Sequence, residues 1–551
     1  MAGLAFARGG YFPRAWGIGV ALLSAVVGLG LYRASPINRL ERAFALGFVA
    51  LLALVGISLN WTSSVTVTML ELERTALYAV LVVALVLIAR RAEELVDGLV
   101  AAMAVVTAWA LFEHLLLERD VDVYQGALLT GTLGYANALG AMTAIGSVAA
   151  ASLGAESRKR WYYVGVAQLL LAATALTNSR GALLAWLLGA VVAVSLSRAR
   201  SRLALNLAIM ALLSLAVGLA AAKWGVTRGR VASPDVVGES RVSFVLVVGS
   251  AAAAALFART LPVRPDRVGP RTTRAVLAVA VAAITVGFAV VVSNLGDRRE
   301  YWHVAVEAFA EKPILGHGPG TYERLWLERR PVLREARDAH SLYLETFAEQ
   351  GIVGGLLVAA ILAIPLVALT RRRGAVVAAA GGGYAAFLAH AGLDWDWEMP
   401  AVTAAGLVVA VACTKLARDE AKEPVLGATR IAAAVVLTVV LAGSAVALAG
   451  NWRVTNARDQ LAAGRPASAL LSATRADSLQ PWSSEPLVLS AESRLLLGDQ
   501  RGAHSQLVEA VARDPTVWLG WWLLALTSES VEERTLATQQ ARRLNPLFGA
   551  P

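Results

Sequence analysis

The sequence predicts an all-α, polytopic helical membrane protein with about 12–14 transmembrane helices, a long extracytoplasmic loop and a small helical repeat domain at the C-terminus. Of the 551 residues, 57% are hydrophobic and 16% are charged, whereas a soluble domain is about 45–50% apolar and about 25% charged. The apolar residues form nearly uncharged runs that are long enough to cross a bilayer. This pattern excludes a disordered chain, a coiled coil and an ordinary soluble enzyme.

The apolar runs predict about fourteen spans, which follow one another with short connections over most of the chain. They lie at 15–32, 42–59, 70–89, 95–117, 133–153, 161–177, 181–197, 203–222, 242–258, 275–293, 351–370, 375–393, 400–416 and 430–449.

Arginine and lysine are concentrated in every second loop between these runs. The positive-inside rule therefore orients the spans, and it places residues 294–350 and 394–399 outside the cytoplasmic membrane. This explains the net charge of +10 without a nucleic-acid partner. The single cysteine, Cys413, excludes an intrachain disulfide and a cysteine metal cluster.

The long loop at 294–350 contains too many aromatic residues to be a disordered connection. Residues 300–312 have the periodicity of an amphipathic helix, with Trp302, Val306 and Phe309 on the predicted buried face. A tight turn, Gly316-His317-Gly318-Pro319-Gly320, follows. The turn either brings backbone N–H groups close to a ligand or only reverses the chain, and the sequence does not separate these interpretations.

The polar tail divides the chain into a membrane domain, residues 1–450, and a helical domain, residues 451–551. Gly464 and Gly498 are 34 residues apart, and so are Pro481 and Pro515. This period resembles that of tetratricopeptide repeats. Trp518, Trp521 and Trp522 are rigid aromatic side chains that suit a protein or peptide partner, although they also suit packing between repeats.

Three segments in the membrane domain together resemble the O-antigen ligase and polymerase family. The motif residues are Gly134-Tyr135-Ala136-Asn137, then Thr177-Asn178-Ser179-Arg180-Gly181, then Arg298, Trp302, Pro313, the glycine turn, His340, Tyr343-Leu344-Glu345 and Gly351. The resemblance covers about residues 40–420 and leaves out the tail.

The resemblance implies a bacterial enzyme of the cytoplasmic membrane that works on its outer face. Such an enzyme transfers a glycan from an undecaprenyl-pyrophosphate carrier to a hydroxyl group of a glycan or glycolipid acceptor, without a metal or another cofactor. Its partners would be this donor, the acceptor and the membrane lipids. Whether the chain is a ligase or a polymerase is left open, because both use the same chemistry.

The candidate site residues follow from what this reaction requires. A leaving pyrophosphate develops negative charge, and arginine suits it because its planar fork binds phosphate bidentately. Arg180 and Arg298 are the candidate pyrophosphate ligands, although a snorkelling Arg180 and a plain surface Arg298 are alternatives. His340 is the candidate general base for the acceptor hydroxyl. Gly316, His317, Gly318 and Gly320 are possible loop contacts.

Other interpretations use other features of the sequence. Asp394, Asp396 and Glu398 alternate with Trp395 and Trp397, a pattern that fits an interfacial belt better than a divalent-cation site. The competing functions are a membrane transporter and a membrane-anchored repeat scaffold for envelope polysaccharide assembly. Few ionisable residues lie inside the spans, which argues against a transporter.

Overall fold

The computed structural model describes residues 1–33, 36–117, 125–224, 226, 234–260, 296–370, 372–417 and 427–548, with four single positions between 278 and 289. The described residues form helices and no β-strand, which confirms the all-α prediction. The helices are α1 (Ala2–Phe6), α2 (Pro13–Tyr32), α3 (Arg39–Ser58), α4 (Val65–Ile88), α5 (Ala92–Leu116), α6 (Ala136–Glu156), α7 (Arg160–Leu176), α8 (Arg180–Leu196), α9 (Arg200–Lys223), α10 (Pro234–Thr260), α11 (Arg298–Glu311), α12 (Tyr322–Arg329), α13 (Leu342–Ala368), α14 (Ala375–Ala391), α15 (Pro400–Lys415), α16 (Gly427–Ala462), α17 (Pro466–Leu479), α18 (Glu485–Leu496), α19 (Gln500–Arg513), α20 (Trp518–Thr527) and α21 (Val531–Leu544).

The polytopic membrane prediction is also confirmed. Among the described residues, eight helices are long and apolar enough to cross a bilayer, namely α2, α3, α5, α6, α9, α10, α13 and α16. The apolar helices α8, α14 and α15 are shorter. Each predicted span coincides with a helix, except the span at 275–293, which lies outside the described residues apart from four single positions.

Small residues let the central helices approach one another closely. A Cβ atom built on Gly189 of α8 would lie 2.6 Å from the carbonyl oxygen of Gly382 in α14. The two helices run antiparallel, because the N–H of Gly374, just before α14, donates to the carbonyl of Leu196 at the end of α8. This close packing places the start of α8, Arg180, at the same end of the bundle as the end of α14.

The loop that contains α11 and α12 has a small core of its own. Tyr301, Val304, Ala305 and Ala308 form the buried face of α11 and pack with Trp326 of α12 and the start of α13. The predicted face was wrong, since Val306 is exposed and Trp302 is only half-buried. The buried face combines the two alanines with Tyr301, whose ring packs on Trp326 with centroids 4.7 Å apart.

The tail consists of antiparallel helices that follow one another from α16 to α21. Gly464 and Gly498 both have a positive φ and both end the first helix of a hairpin, as expected from their spacing. Trp518 and Trp522 pack against Phe548, with ring centroids 4.6 and 4.9 Å apart. Membership of the tetratricopeptide family and binding of a protein or peptide by the tail stay predictions.

The tail lies against the long loop at one end of the bundle. Asp514 accepts a hydrogen bond from Ser64 (2.6 Å), and Asn545 accepts one from Arg330 of the loop (2.8 Å). The N-terminus is at the same end, because Arg337 donates to the Tyr11 hydroxyl (2.9 Å). The long loop, the tail and the N-terminus therefore share one side of the membrane domain.

We expect this shared side to be extracytoplasmic. Reporter fusions at residues 330 and 500 should both give extracytoplasmic signals, whereas a fusion in the basic loop at 372 should give a cytoplasmic one, because alternate loops follow the positive-inside rule. Opposite signals at 330 and 500 would contradict both the span count and the contacts between loop and tail.

Candidate active site

His340 lies between α12 and α13 and is held in one orientation. Its φ of +55° is in the left-handed region, which histidine tolerates better than most side chains. The preceding N–H, of Ala339, donates to the Glu345 carboxylate (2.6 Å), and Nδ1 of His340 lies 3.1 Å from the Asp338 carbonyl oxygen. The imidazole ring also packs on Tyr301 of α11, with centroids 4.9 Å apart.

The hydrogen bond to Asp338 decides which ring nitrogen of His340 can react. A carbonyl oxygen only accepts, so Nδ1 carries the proton and Nε2 of the neutral ring is an acceptor. Burial lowers the pKa of His340; the charges of Asp394 and Asp396 and the bond to Asp338 oppose this effect, and Arg298 adds to it. The ring is therefore neutral near pH 7 and has the protonation state of a general base.

Arg298, the first residue of α11, forms an ion pair with a buried carboxylate. Its Nη2 lies 2.6 Å from Oδ2 of Asp394, which is 2% exposed. The same carboxylate accepts hydrogen bonds from the Tyr135 hydroxyl (2.8 Å) and the Asn137 amide (2.6 Å) at the start of α6. Asp394 thus joins three distant parts of the chain and fixes the position of Arg298.

The surrounding charges keep Asp394 ionised. Burial alone would raise its pKa, but the neighbouring His340, Arg298 and His390 and the hydrogen bond from Tyr135 outweigh burial, and the pKa lies below its ordinary value. Nε of Arg298 has no hydrogen-bond partner among the described residues. One edge of the guanidinium is therefore anchored by Asp394, and its buried Nε keeps an unused hydrogen-bond donor.

Arg180 is connected to the site through the segment that contains Asp394. Its side chain is exposed, and no ion pair to it occurs among the described residues. A Cβ atom built on the next residue, Gly181, would lie 3.4 Å from Nε2 of His390, whose Nδ1 is 3.1 Å from Asp396. Arg180 therefore lies close to the segment that contains Asp394, the ion-pair partner of Arg298.

The glycine turn packs tightly against protein. The backbone N–H groups of Gly316, His317, Gly318 and Gly320 all donate to protein acceptors, the last of them to the Glu349 carboxylate (2.9 Å). A Cβ atom on Gly316, which has a positive φ, would lie 2.2 Å from the Glu349 carbonyl oxygen. Nε2 of His317 is 3.1 Å from the Ala308 carbonyl. This geometry favours chain reversal over ligand contact.

A second group of buried charges lies next to the histidine loop. Arg74 of α4 binds Glu71 and Glu398, each with a shortest N–O distance of 2.5 Å. Carboxylate oxygens of Asp338, Glu345 and Glu398 lie within 4.8 Å of one another, a set that a divalent cation could use. Burial and the charge of Glu398 raise the pKa of Asp338 well above its ordinary value. Arginine and this retained proton already compensate the cluster, and the predicted absence of a metal stays a prediction.

The structure corrects the expectation for residues 394–398. Asp394, Asp396 and Glu398 are buried rather than part of an exposed interfacial belt. They bind three different groups, Arg298, His390 and Arg74 respectively, and so do not converge on one cation. Their burial follows from those positively charged or protonated partners, which the local sequence does not reveal.

Sequence reasoning missed several residues that position the site. Asp338 and Tyr301, which hold His340, and Asp394, which holds Arg298, were not recognised in these roles. Arg74 was also missed, although an ionisable residue within an apolar helix is itself a signal of function. Such a signal was present in Glu71, Glu73 and Arg74, which lie in the predicted span 70–89.

The fold and the geometry define a multi-pass helical membrane protein in which His340, Arg298 and Arg180 lie at one end of the helix bundle. Residues 165–359 match a family model described as O-antigen ligase, and the match includes Arg180, Arg298, the glycine turn and His340. The chain therefore carries a domain of the O-antigen ligase family, which confirms the resemblance. The match and the membrane helices support a glycan-transferring membrane enzyme. No curated protein matches the chain.

The charge compensation around Arg74 predicts that replacing Arg74 lowers the stability of the protein strongly. Arg74→Ala leaves Glu71 and Glu398 buried without their partner, and removing one member of a buried pair costs about 3–5 kcal/mol. Thermal unfolding of the purified protein in detergent should show a clear fall in the midpoint. Arg299→Ala, at an exposed arginine, serves as the matched control, and equal midpoints for the two variants would contradict the prediction.

Proposed function

We propose that the protein transfers a glycan from an undecaprenyl-pyrophosphate carrier to an acceptor hydroxyl on the outer face of the bacterial cytoplasmic membrane. The acceptor is a glycan or a glycolipid, and the reaction uses neither a metal nor a nucleotide sugar. The observation that carries the proposal is the orientation of His340: its Nδ1 faces the Asp338 carbonyl, its Nε2 has no hydrogen bond to the described residues, and the ring lies within the electrostatic reach of the Arg298–Asp394 pair.

The reaction breaks one bond and forms another at the anomeric carbon of the donor glycan. The acceptor oxygen attacks this carbon, and its proton passes to Nε2 of His340. The bond between the anomeric carbon and the phosphate oxygen breaks, and undecaprenyl pyrophosphate leaves. His340 then releases the proton to solvent, which returns the ring to its neutral state.

The two arginines stabilise the charge that develops on the leaving pyrophosphate. Arg298 is fixed by Asp394, so its orientation costs little when the donor binds. Arg180 has no such carboxylate in the described part of the chain and is free to turn towards the phosphate groups. A cation that is already oriented before the donor binds, as Arg298 is, stabilises the transition state without a cost of reorganisation.

Transfer assays with purified protein and a lipid-linked donor test these roles. His340→Ala should retain donor binding but lose turnover by about 10²–10⁴-fold, as expected for a general base. Arg180→Ala should lose about 10²–10³-fold, and Arg180→Lys nearly as much, because a point charge does not reproduce the bidentate fork. His303→Ala, in the same loop but exposed, is the control for the histidine variant. Wild-type turnover of His340→Ala would place the base elsewhere.

The rate of transfer should fall in acid as His340 becomes protonated. Since burial lowers the pKa of His340, the midpoint of this acid limb should lie below the ordinary histidine value of 6.5. The negative charge of Asp394 raises the pKa of His340, so Asp394→Asn should move the midpoint to still lower pH. Normalised pH–rate profiles measure both effects, and a midpoint that shifts upward in Asp394→Asn would contradict the assignment.

A further inference from the structure

The N-terminal segment, residues 1–12, lies across the end of the bundle that carries the candidate site. The ring of Phe6 packs against Trp109 of α5, with centroids 6.3 Å apart. The indole N–H of Trp16, in the first turn of α2, donates to the Gly10 carbonyl (2.7 Å). The segment is therefore anchored at two points, and the mechanism derived above does not use it.

A sharp bend in this segment is made by three successive residues with positive φ. They are Arg8 (+53°), Gly9 (+70°) and Gly10 (+74°), and glycine adopts this conformation at little cost. A Cβ atom on Gly10 would lie 3.2 Å from Pro400, the first residue of α15. The bend therefore packs closely on the start of α15 and directs the next residue towards the candidate site.

Tyr11 follows the bend and contacts two separate parts of the site. Its hydroxyl accepts a hydrogen bond from Arg337 (2.9 Å), three residues before His340, and the same guanidinium lies 5.7 Å from the centre of the tyrosine ring. The ring also makes an edge-to-face contact with Trp395, the neighbour of Asp394, with centroids 5.5 Å apart. One rigid side chain thus contacts both the loop of His340 and the turn that contains Asp394.

These two parts carry different halves of the proposed mechanism. The loop supplies the candidate base His340, and the turn supplies Asp394, which forms the ion pair with Arg298 (2.6 Å). Trp395 stacks on Tyr135 with ring centroids 4.7 Å apart, and the Tyr135 hydroxyl donates to Asp394 (2.8 Å), so the turn is itself held firmly. A displacement of the loop relative to this turn moves the base relative to the cation.

We propose that Tyr11 is a positioning residue, which holds the loop of His340 at a fixed place relative to the Arg298–Asp394 pair. The inference rests on the proposed function, because it takes His340 and Arg298 to act on the same donor. Tyr11 itself touches no reacting atom. Its effect is geometric, because a misplacement of about 1 Å at a catalytic group can lower a rate about 10²-fold. A tyrosine suits this role because its ring is rigid and its hydroxyl adds one directed contact.

The proposal predicts a loss of turnover without a loss of donor binding. Tyr11→Ala removes both contacts and should lower kcat about 10²-fold, whereas Tyr11→Phe keeps the ring contact with Trp395 and should lower kcat only about tenfold. KM for the lipid-linked donor should stay unchanged in both variants, because Asp394 still holds Arg298. Phe6→Ala, which removes a ring of the same segment away from the site, should match the wild type. Wild-type kcat in Tyr11→Ala, or a raised KM with unchanged kcat, would overturn the proposal.

A double-mutant cycle isolates the contact between Tyr11 and Arg337. Tyr11→Phe should lower kcat about tenfold in the wild-type background and leave it unchanged in the Arg337→Met background, because the hydroxyl then has no guanidinium from which to accept a hydrogen bond. Equal effects of Tyr11→Phe in the two backgrounds would mean that Tyr11 does not act through the loop of His340, and the proposal would fall.

A further readout does not depend on transfer. Amide hydrogen exchange in residues 334–341 of the intact protein should be faster in Tyr11→Ala than in the wild type, and unchanged in Phe6→Ala. Wild-type exchange in Tyr11→Ala would overturn the proposal, whatever the turnover of that variant. Faster exchange in Tyr11→Ala, combined with no transfer by the wild type from any lipid-linked donor, would instead refute the proposed function and leave the structural tie between Tyr11 and the loop standing.

Discussion

The buried ion group around Arg74 is the constraint on which the site depends. Charges in a low-dielectric interior are stable only when partners compensate them. Arg74 meets Glu71 of its own helix and Glu398 of the turn before α15, and Glu398 in turn holds Asp338 in its protonated form. These contacts fasten α4, the 394–399 turn and the histidine loop to one another. The position of His340 depends on these contacts, because Asp338 and His340 lie in the same loop.

The two arginines of the proposed mechanism differ in how they are held. Arg298 is locked to a carboxylate that also binds Tyr135 and Asn137, so its geometry exists before any substrate arrives. Arg180 is exposed and must lose side-chain freedom when it binds. A preorganised cation suits the transition state, whereas a mobile one suits capture of the donor. The same pyrophosphate thus meets one rigid and one adaptable ligand.

The sequence predicted the helices well because long apolar runs determine membrane spans almost alone. It also singled out Arg298 and His340, since their motifs are local, and their roles stay predictions. It did not predict their partners, because Asp394 is 96 residues from Arg298 and 259 from Tyr135, and no local periodicity encodes such contacts. The prediction of which face of α11 is buried was wrong for a related reason. The contact of Tyr301 with Trp326, together with two alanines, decided which face of that helix packs against its neighbours.

The kink at Gly351 divides α13 into an outer segment next to the candidate site and an inner, apolar segment. Its outer segment carries Glu345, which anchors Ala339 beside His340, and Glu349, which caps the glycine turn. Its inner segment continues as part of the candidate membrane span Leu342–Ala368. A straight helix would have kept these two segments in line, without the fold-back that Phe347 makes over Gly355. The packed glycine turn therefore acts on the site indirectly, because the residues just before it, Pro313 and Ile314, accept hydrogen bonds from the N–H groups of Ile352 and Val353 and so hold the kink.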